Sequence, residues 1–260
     1  MTIFSDIWYV AKRELIKFTR ARVRFAVNLI QPLIWLGLMG NMMKGMTNAP
    51  GIGKMLGTGN YLAFMTPGII VMTVLFAGAF GGISIVWDRR IGYLEKLMAA
   101  PIARGSIAFG KMLSTMLQVG TQVVVVMIIA TILGVHIVTG LPGCVVILLI
   151  AMVFSLILSG FSLSVSATMK TMETLMALVN LVTLPLMFAS SALFPLKVMP
   201  GWLAAVAKFN PVTYAVRPVR ELTLYGWNWA KMAPSLGIVV GLAIVFLLIA
   251  QFTFQRATTE

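Results

Sequence analysis

Charged side chains are scarce in this sequence, and their scarcity indicates the class of protein. Asp, Glu, Lys and Arg together make up 10% of the 260 residues, whereas ordinary soluble domains have about 25%. The hydrophobic fraction is 60% and the mean hydropathy is +0.98, against about 45–50% apolar residues in soluble domains. We therefore expect an integral membrane protein.

Cysteine and histidine are rarer still, and each shortage excludes a kind of chemistry. Cys144 is the only cysteine, so the chain has no internal disulfide and no paired-cysteine metal motif. His136 is the only histidine, and no G-x-S-x-G nucleophile elbow lies near it. We therefore predict no catalytic residue, no metal site and no enzymatic activity of the chain itself.

Acidic residues are few, and none of them lies deep in an apolar run. The seven are Asp6, Glu14, Asp88, Glu95, Glu173, Glu221 and Glu260. Ion-coupled transporters and proton relays generally place an ionisable group inside the membrane. This distribution argues against an ion-coupled secondary transporter without excluding one, so that alternative stays open.

Basic residues dominate the charge, and the formal net charge is +13. Because the cations lie between apolar runs, we expect them to fix the topology and to contact lipid headgroups rather than nucleic acid. The stretch "GSIAFGKM" (105–112) imitates a Walker A loop, but Met112 stands where a Ser or Thr must bind magnesium. We predict no nucleotide site and no other cofactor on this chain.

Six apolar runs are long enough to cross a bilayer, since a hydrocarbon core about 30 Å thick needs about 20 helical residues. They cover residues 25–43, 62–87, 112–135, 143–168, 173–194 and 232–254. Residues 1–24 precede them and predict an amphipathic helix with a basic face on the inner leaflet. Across the six spans, thirteen of the Lys and Arg residues fall on the same side of the membrane as the N-terminus and seven fall on the opposite side. This bias predicts cytoplasmic termini for an all-α domain of six transmembrane helices over 25–260.

The stretch 195–226 is too apolar for a free loop and too rich in proline for one helix. Its prolines are Pro195, Pro200, Pro211 and Pro218, and each disfavours continued helix at and before its position. We expect two short re-entrant helices that enter the outer leaflet, where irregular backbone has to be buried in protein or line a cavity.

The charged stretch 88–111 separates the second and third apolar runs. Its five Lys and Arg residues would cost on the order of 12 kcal/mol inside the bilayer, at about 2.5–3.5 kcal/mol each, so we expect the stretch to lie in water. Residues 88–100 predict an amphipathic helix that begins at Asp88 as the N-cap and ends before Pro101. One face of that helix is apolar and predicts a docking surface for a partner: Ile91, Leu94, Leu97 and Met98.

Polar side chains recur at helical spacing inside three of the apolar runs and are candidates for lining a transport pathway. They are Asn28 and Gln31 in the first run, Gln118 and Gln122 in the third, and Ser155 and Ser159 in the fourth. Small polar residues also serve helix packing in membranes, and for the serines packing stays the stronger of the two interpretations.

Two stretches of the sequence resemble a known family. The pattern "WDRRIGYLEKLMAAPIAR" (87–104), followed by Gly110 and Lys111, is similar to the cytoplasmic signature of the type-2 ABC-exporter permeases. The stretch 180–221 is similar to that family's fifth span and outer re-entrant helices. The matching positions there include Asn180, Asn210, Pro211 and Tyr214. Arg217 departs from the pattern, because relatives often carry an acid there.

The resemblance implies a permease subunit of an ATP-driven exporter. Two copies, or this chain and a paralogue, would pair around a central pathway in the cell membrane of a prokaryote. Each copy would dock on a separate ABC ATPase subunit, which binds ATP and magnesium. The helix predicted at 88–100 would be the coupling helix, which contacts that subunit. It would present charged and apolar side chains to it: Asp88, Arg89, Arg90, Ile91, Leu94, Glu95, Leu97 and Met98. Asn180 would join the pathway-lining residues, and the substrate would be a hydrophobic drug, a lipid or a lipid-linked glycan.

Overall fold

The computed structural model of the protein describes residues 3–39, 61–169 and 171–257. Every regular element within these ranges is a helix, which confirms the predicted all-α class. The end of the first predicted span, the cations Lys44 and Lys54 of the predicted outer side, and Lys170 of the predicted inner side all lie outside the described residues.

Long apolar helices form the body of the molecule. They are α3 (Tyr61–Ala79) with its continuation α4 (Ile83–Arg90), α6 (Arg104–Ile132), α7 (Gly140–Thr168) and α11 (Trp229–Ala257). Counting α3 and α4 as one span, four helices of the described residues are long and apolar enough to cross a membrane. The first and fifth predicted spans contain shorter apolar helices, at Phe25–Leu38 and Met172–Phe188. The presence of apolar helices that can cross a bilayer is confirmed, and the count of six spans stays a prediction.

Shorter helices complete the described fold. They are α1 (Ile3–Arg20), α2 (Arg22–Ile34), α5 (Tyr93–Ala99), α8 (Met172–Phe188), α9 (Gly201–Phe209) and α10 (Pro211–Arg220). A π-helical turn continues α2 over Trp35–Met39 and another continues α10 over Glu221–Tyr225, and a 3-10 turn covers Leu196–Val198. The proline-rich stretch therefore does form two short helices, α9 and α10, separated at Asn210.

Helix α1 is amphipathic and packs along α6. Val10 and Ala11 are buried, whereas Phe4, Trp8 and Tyr9 are exposed. The contact is close because α6 carries Gly110 there, where a Cβ atom would meet Val10. The exposed aromatic side chains suit the headgroup region of a membrane.

The bundle has two distinct ends. At one end a small apolar cluster joins α4, α5, the start of α6 and the ends of α7 and α11; its central residues include Ile85, Leu94, Ile107, Ala167 and Phe254. We call this the α5 end. At the opposite end, Thr139 Oγ1 donates to the carbonyl of Leu222 at 2.9 Å, which ties the start of α7 to the turn after α10. Helices α4, α7 and α11 end at the α5 end, whereas α6 begins there. Such changes of direction are those of a chain that crosses a membrane repeatedly.

Candidate functional site

A cavity of about 850 Å³ lies between α1, α2, α3, α4, α6 and α8. Much of its wall is apolar, with side chains such as Ile69, Met72, Phe76 and Phe80. A polar band of neutral side chains crosses this wall. Cavities of this size, mostly apolar with a few polar groups, are typical of small-molecule sites in proteins.

Five of the seven predicted pathway residues line this cavity, and two do not. The five are Asn28, Gln31, Gln118, Gln122 and Asn180. All five carry carboxamides, which both donate and accept hydrogen bonds. Asn28, Gln31 and Asn180 are exposed, so they mark the open side of the cavity, while Gln122 is buried on the α6 wall.

The two serines lie elsewhere, within the helix packing of α7. Ser155 and Ser159 are fully buried, and their hydroxyls donate to the carbonyls of Met152 and Leu156 in the same helix. Ser162 on the same face accepts a hydrogen bond from the Gly82 amide at 3.0 Å. This face joins α7 to the second span, in line with the packing interpretation.

Charged side chains form the floor of the cavity at the α5 end. Lys111 Nζ lies 2.6 Å from Asp88 Oδ2 and 3.6 Å from Glu14 Oε1. Arg13 and Lys17 of α1 each contact both acids, at distances between 2.9 and 3.3 Å. The side chains of Asp88 and Lys111 are 0% and 1% exposed. We call these five residues the charge cluster; it holds three cations and two acids.

The charge cluster overturns the predicted position of Asp88. The expected helix start at Asp88 is wrong, because α4 continues to Arg90 and Asp88 points into the bundle. The chain breaks instead at Gly92, whose φ is +68°, and α5 begins at Tyr93. The prediction that every cation between 88 and 111 lies in water fails at Lys111, since a buried charge is tolerated where it is paired and hydrogen-bonded.

Sequence reasoning missed this cluster, although part of the signal was present. Lys111, Thr115, Gln118 and Gln122 recur at intervals of four, three and four on one face of the third span. That stripe places Lys111 on the cavity side of α6, where all four residues lie. Its acidic partners could not be found this way, because Glu14 and Asp88 belong to other helices.

The comparisons with known proteins agree with this architecture. Residues 5–224 match the family model described as ABC-2 type transporter. The chain belongs to the ABC-2 type transporter family. Among its relatives, the protein named transport permease ycf38 of Cyanophora paradoxa is 30% identical over 252 residues, covering 94% of this chain and 84% of that protein. The daunorubicin resistance ABC transporter permease protein DrrB1 of Streptomyces coeruleorubidus is 25% identical, covering 90% and 80%. Nodulation protein J of Rhizobium leguminosarum is 24% identical, covering 88% and 85%.

The predicted coupling helix of this ABC-2 permease differs from the prediction in the direction of its apolar face. Leu94 is buried at 2% exposure, and Leu97 and Met98 pack with it against the small cluster at the α5 end. The apolar face thus turns toward the protein's own bundle rather than toward a partner. Ile91 is exposed, as are the neighbouring charged residues Arg90, Glu95 and Lys96. Docking by residues 88–100 stays a prediction, now with these exposed side chains as its contact surface.

Arg89 fixes the end of the second span to the end of the fourth. Its two terminal nitrogens donate to the carbonyls of Ala167 and Met169, each at 2.8 Å. These carbonyls belong to the C-terminal end of α7, where unpaired carbonyls carry partial negative charge. Arg89 therefore stabilises the α5 end and is largely engaged within the chain.

Asn210 joins α10 to the end of α8. Its Oδ1 accepts a hydrogen bond from the Val212 amide at 2.9 Å and caps α10. Its Nδ2 donates to the carbonyls of Leu186 and Ala189 at 2.8 and 2.5 Å. Pro211 occupies the first helical position, where its missing N–H leaves no bond unmade. The Asn-Pro pair therefore has a structural role.

Other side chains of α10 pair with rings and backbone. The guanidinium carbon of Arg217 lies 5.5 Å from the ring centroid of Tyr214. Arg220 donates to the Ser191 carbonyl at 2.8 Å and lies 4.2 Å above the Phe64 ring. Arg220 thus links α10 to α3 and to the connection after α8.

We expect Asn210→Ser and Asn210→Ala to separate the two functions of this side chain. Serine keeps a cap acceptor but loses both amide donors, while alanine loses the cap as well, which costs about 1 kcal/mol more. Thermal unfolding of the purified protein in detergent should rank wild type above Asn210→Ser and Asn210→Ser above Asn210→Ala. Equal midpoints for the two variants would contradict the capping role.

Proposed function

We propose that this ABC-2 permease is the membrane subunit of an ATP-driven exporter. A separate cytoplasmic ABC ATPase subunit binds ATP and magnesium and supplies the energy. The substrate is a hydrophobic drug, a lipid or a lipid-linked glycan. The observation that carries the proposal is a cavity with carboxamide side chains within a chain that matches the ABC-2 family over residues 5–224.

The chemistry of the cavity supports an amphiphilic substrate. Its apolar wall suits a hydrophobic body, and its carboxamides suit hydroxyl or carbonyl groups that have to leave water. The carboxylates that line the cavity, Glu14 and Asp88, are both paired with cations of the charge cluster. A cationic substrate therefore has no free carboxylate among the described lining residues, and an uncharged amphiphile fits best.

The open side of the cavity supports pairing with a second permease copy or a paralogue. Asn28, Gln31 and Asn180 are exposed there on apolar helices. Polar side chains at membrane depth are costly unless they face protein or a water-filled space. A second subunit over this side would enclose the pathway between two cavities.

The basic face of α1 supports the proposed orientation in a prokaryotic cell membrane with cytoplasmic termini. Helix α1 exposes Lys12 and Arg20, while Arg13 and Lys17 belong to the charge cluster. Exposed basic side chains beside a membrane are attracted to the anionic cytoplasmic leaflet. The last residues of α11 lie at the same end of the bundle, beside α5. Membrane lipid is thus a partner in addition to the ATPase subunit.

One observation favours the alternative, an ion-coupled secondary transporter. The Asp88–Lys111 pair is buried inside the helix bundle, and such carriers use ionisable groups within their membrane-spanning helices. Both oxygens of Asp88 are engaged by cations, however, so no free carboxylate remains there to take up a proton. The cluster is better suited to pairing its charges within the protein than to ion exchange.

Inverted membrane vesicles test the two functions directly. Vesicles with the permease and its genomically neighbouring ABC ATPase should accumulate a fluorescent hydrophobic dye on addition of ATP, and a protonophore should not abolish the uptake. Vesicles with a hydrolysis-deficient ATPase are the control. Uptake driven by an imposed proton gradient without ATP would establish the alternative and overturn the exporter.

In the same assay, Gln122→Leu should weaken transport more than Ser159→Ala does. Gln122 lines the cavity, so leucine removes a donor and an acceptor for the substrate at similar volume. Ser159 packs within α7 away from the cavity, so alanine only removes a hydroxyl bonded to its own helix. We expect the half-saturating dye concentration to rise about fivefold to tenfold for Gln122→Leu, equivalent to about 1–1.4 kcal/mol, and to change little for Ser159→Ala. Similar values for both variants would remove Gln122 from the pathway.

A further inference from the structure

Arg13 of α1 bridges the break in the chain between α4 and α5. Its guanidinium carbon lies 3.4 Å from the centroid of the Tyr93 ring, and Tyr93 is the first residue of α5. The same guanidinium donates to Asp88 at 3.3 Å, in the last turn of α4. Arg13 therefore contacts both sides of Gly92, the residue at which the helix direction changes.

The break itself provides a hinge. Gly92 has a φ of +68°, a conformation that glycine adopts readily and other residues rarely adopt. A Cβ atom at Gly92 would meet no other atom within 4 Å, so the glycine serves the backbone conformation rather than close packing. Helix α5 is thus joined to α4 through a glycine and through basic side chains of α1 that contact both Asp88 and Tyr93. Arg13 makes the closer of these contacts with the Tyr93 ring, since Lys17 Nζ lies 5.8 Å from its centroid.

The Asp88 contact of Arg13 leads to the cavity. Asp88 and Lys111 are members of the charge cluster and also line the cavity floor. Lys111 Nζ also donates to Ser84 Oγ at 3.2 Å, which adds another cavity-lining residue of α4. A displacement of α5 that moves Arg13 must therefore rearrange charges at the cavity floor, because a buried carboxylate cannot lose its partners cheaply.

We propose that the contact of Arg13 with Tyr93 transmits motion between α5 and the cavity, with both residues acting as positioning residues. The inference rests on the proposed function, in which the ATPase acts on residues 88–100. Helix α5 packs its apolar face inside the bundle and exposes charged residues, so a partner that moves it moves the Tyr93 ring as well. The guanidinium follows the ring, and the charge cluster follows the guanidinium.

Two substitutions at Tyr93 separate this role from simple stabilisation. Tyr93→Phe keeps the ring face that attracts the guanidinium, whereas Tyr93→Leu fills similar space without it. Neither substitution leaves a buried charge without its carboxylate or ammonium partners, so both proteins should fold. Comparison of the two variants therefore isolates the ring contact.

The experiment uses the full complex of permease and ATPase in lipid nanodiscs and in vesicles. A bimane label at Asn180→Cys, in a Cys144→Ala background, reports the cavity when a non-hydrolysable ATP analogue is added. In unlabelled complexes, transported dye per ATP hydrolysed reports coupling. We expect Tyr93→Phe to match its parent in both measurements. Tyr93→Leu should lose the fluorescence change and transport on the order of tenfold less dye per ATP, a typical size for coupling between sites.

Two outcomes would overturn the proposal. One is a Tyr93→Leu complex with the parent fluorescence change and the parent ratio of dye to ATP. The other is loss of ATPase co-purification in Tyr93→Leu, which would mean that the Tyr93 ring maintains the docking surface for the ATPase rather than transmitting motion to the cavity. A parent complex that transports nothing on ATP addition would refute the exporter function instead, while the nucleotide-driven fluorescence change would still test the link.

Discussion

Asp88→Ala is expected to destabilise the protein by about 3–5 kcal/mol, the usual cost of breaking a buried ion pair by removing one partner. Asp88 is fully buried and contacts Lys111, Arg13 and Lys17. Without it, three cations of the charge cluster would share Glu14 alone. The prediction is checked by the thermal unfolding midpoint in detergent, which should fall far below that of wild type.

Two control variants make this prediction specific. Glu95→Ala removes an exposed acid seven residues further along, on α5, and surface substitutions usually change stability by less than about 0.5 kcal/mol. Asp88→Asn combined with Lys111→Met removes one charge of each sign and should regain much of the loss, since neutral replacement of a buried pair is often tolerated. If the double variant were as unstable as Asp88→Ala, the pairing of these two charges would not explain the loss.

Gly68→Ala is expected to prevent correct packing of the second span. A Cβ atom at Gly68 in α3 would overlap the backbone carbonyl of Ala192, in the connection after α8. A backbone carbonyl cannot rotate away as a flexible side chain can, so the helix and the connection must separate. We expect a cost at or above the upper end of the about 1–3 kcal/mol typical of overpacked cores, measured as loss of monodisperse protein on size-exclusion chromatography.

Matched glycines serve as controls for Gly68. Gly120 lies buried on α6, where an added Cβ would meet only side-chain atoms of Leu148 and Met152 at 3.6 Å, an ordinary contact distance. Gly241 on α11 has no atom within 4 Å of that position. Gly120→Ala and Gly241→Ala should therefore both stay as monodisperse as wild type, and each should gain about 0.5–1 kcal/mol from helix propensity. A Gly68→Ala protein as monodisperse as these two would disprove the close approach.

The coupling region illustrates how far the sequence alone could lead. Hydropathy and charge ended the second apolar run at residue 87 and predicted a new helix from Asp88, whereas α4 continues to Arg90 and the chain breaks at Gly92. The direction of the apolar face was wrong because periodicity identifies a face but not its neighbour. An apolar face at Leu94 could pack against a partner subunit or against the protein's own bundle. It packs against the bundle, where Ile107 and Phe254, which belong to other helices, contribute to the same apolar cluster.

The cavity residues show the same division. Carboxamides and serines both recur at helical spacing within apolar runs, and by sequence either set could line a pathway. The structure brings the carboxamides Gln118, Gln122 and Asn180 to the cavity and buries Ser155 and Ser159 in helix packing. A serine hydroxyl can bond to its own helix backbone and so needs no cavity, whereas the Gln118 carboxamide bonds the Ser114 side chain at 2.9 Å, and both residues line the cavity.

The sequence by itself determined the membrane class, the long apolar helices, the amphipathic α1 and the family resemblance. These features depend on composition, on spacing within one helix or on contiguous motifs. Only the tertiary structure decided that Lys111 lies in the bundle opposite Asp88, and that Glu14 and Arg13 from α1 join them. The physical reason is that an insertion cost is assigned to each charge as if it were alone. The true cost of burying a charge depends on its partners, and these are distant in sequence: Arg13 and Lys17 of α1 contact Asp88 across 75 and 71 residues. Only the packing of α1 against the bundle brings these side chains together.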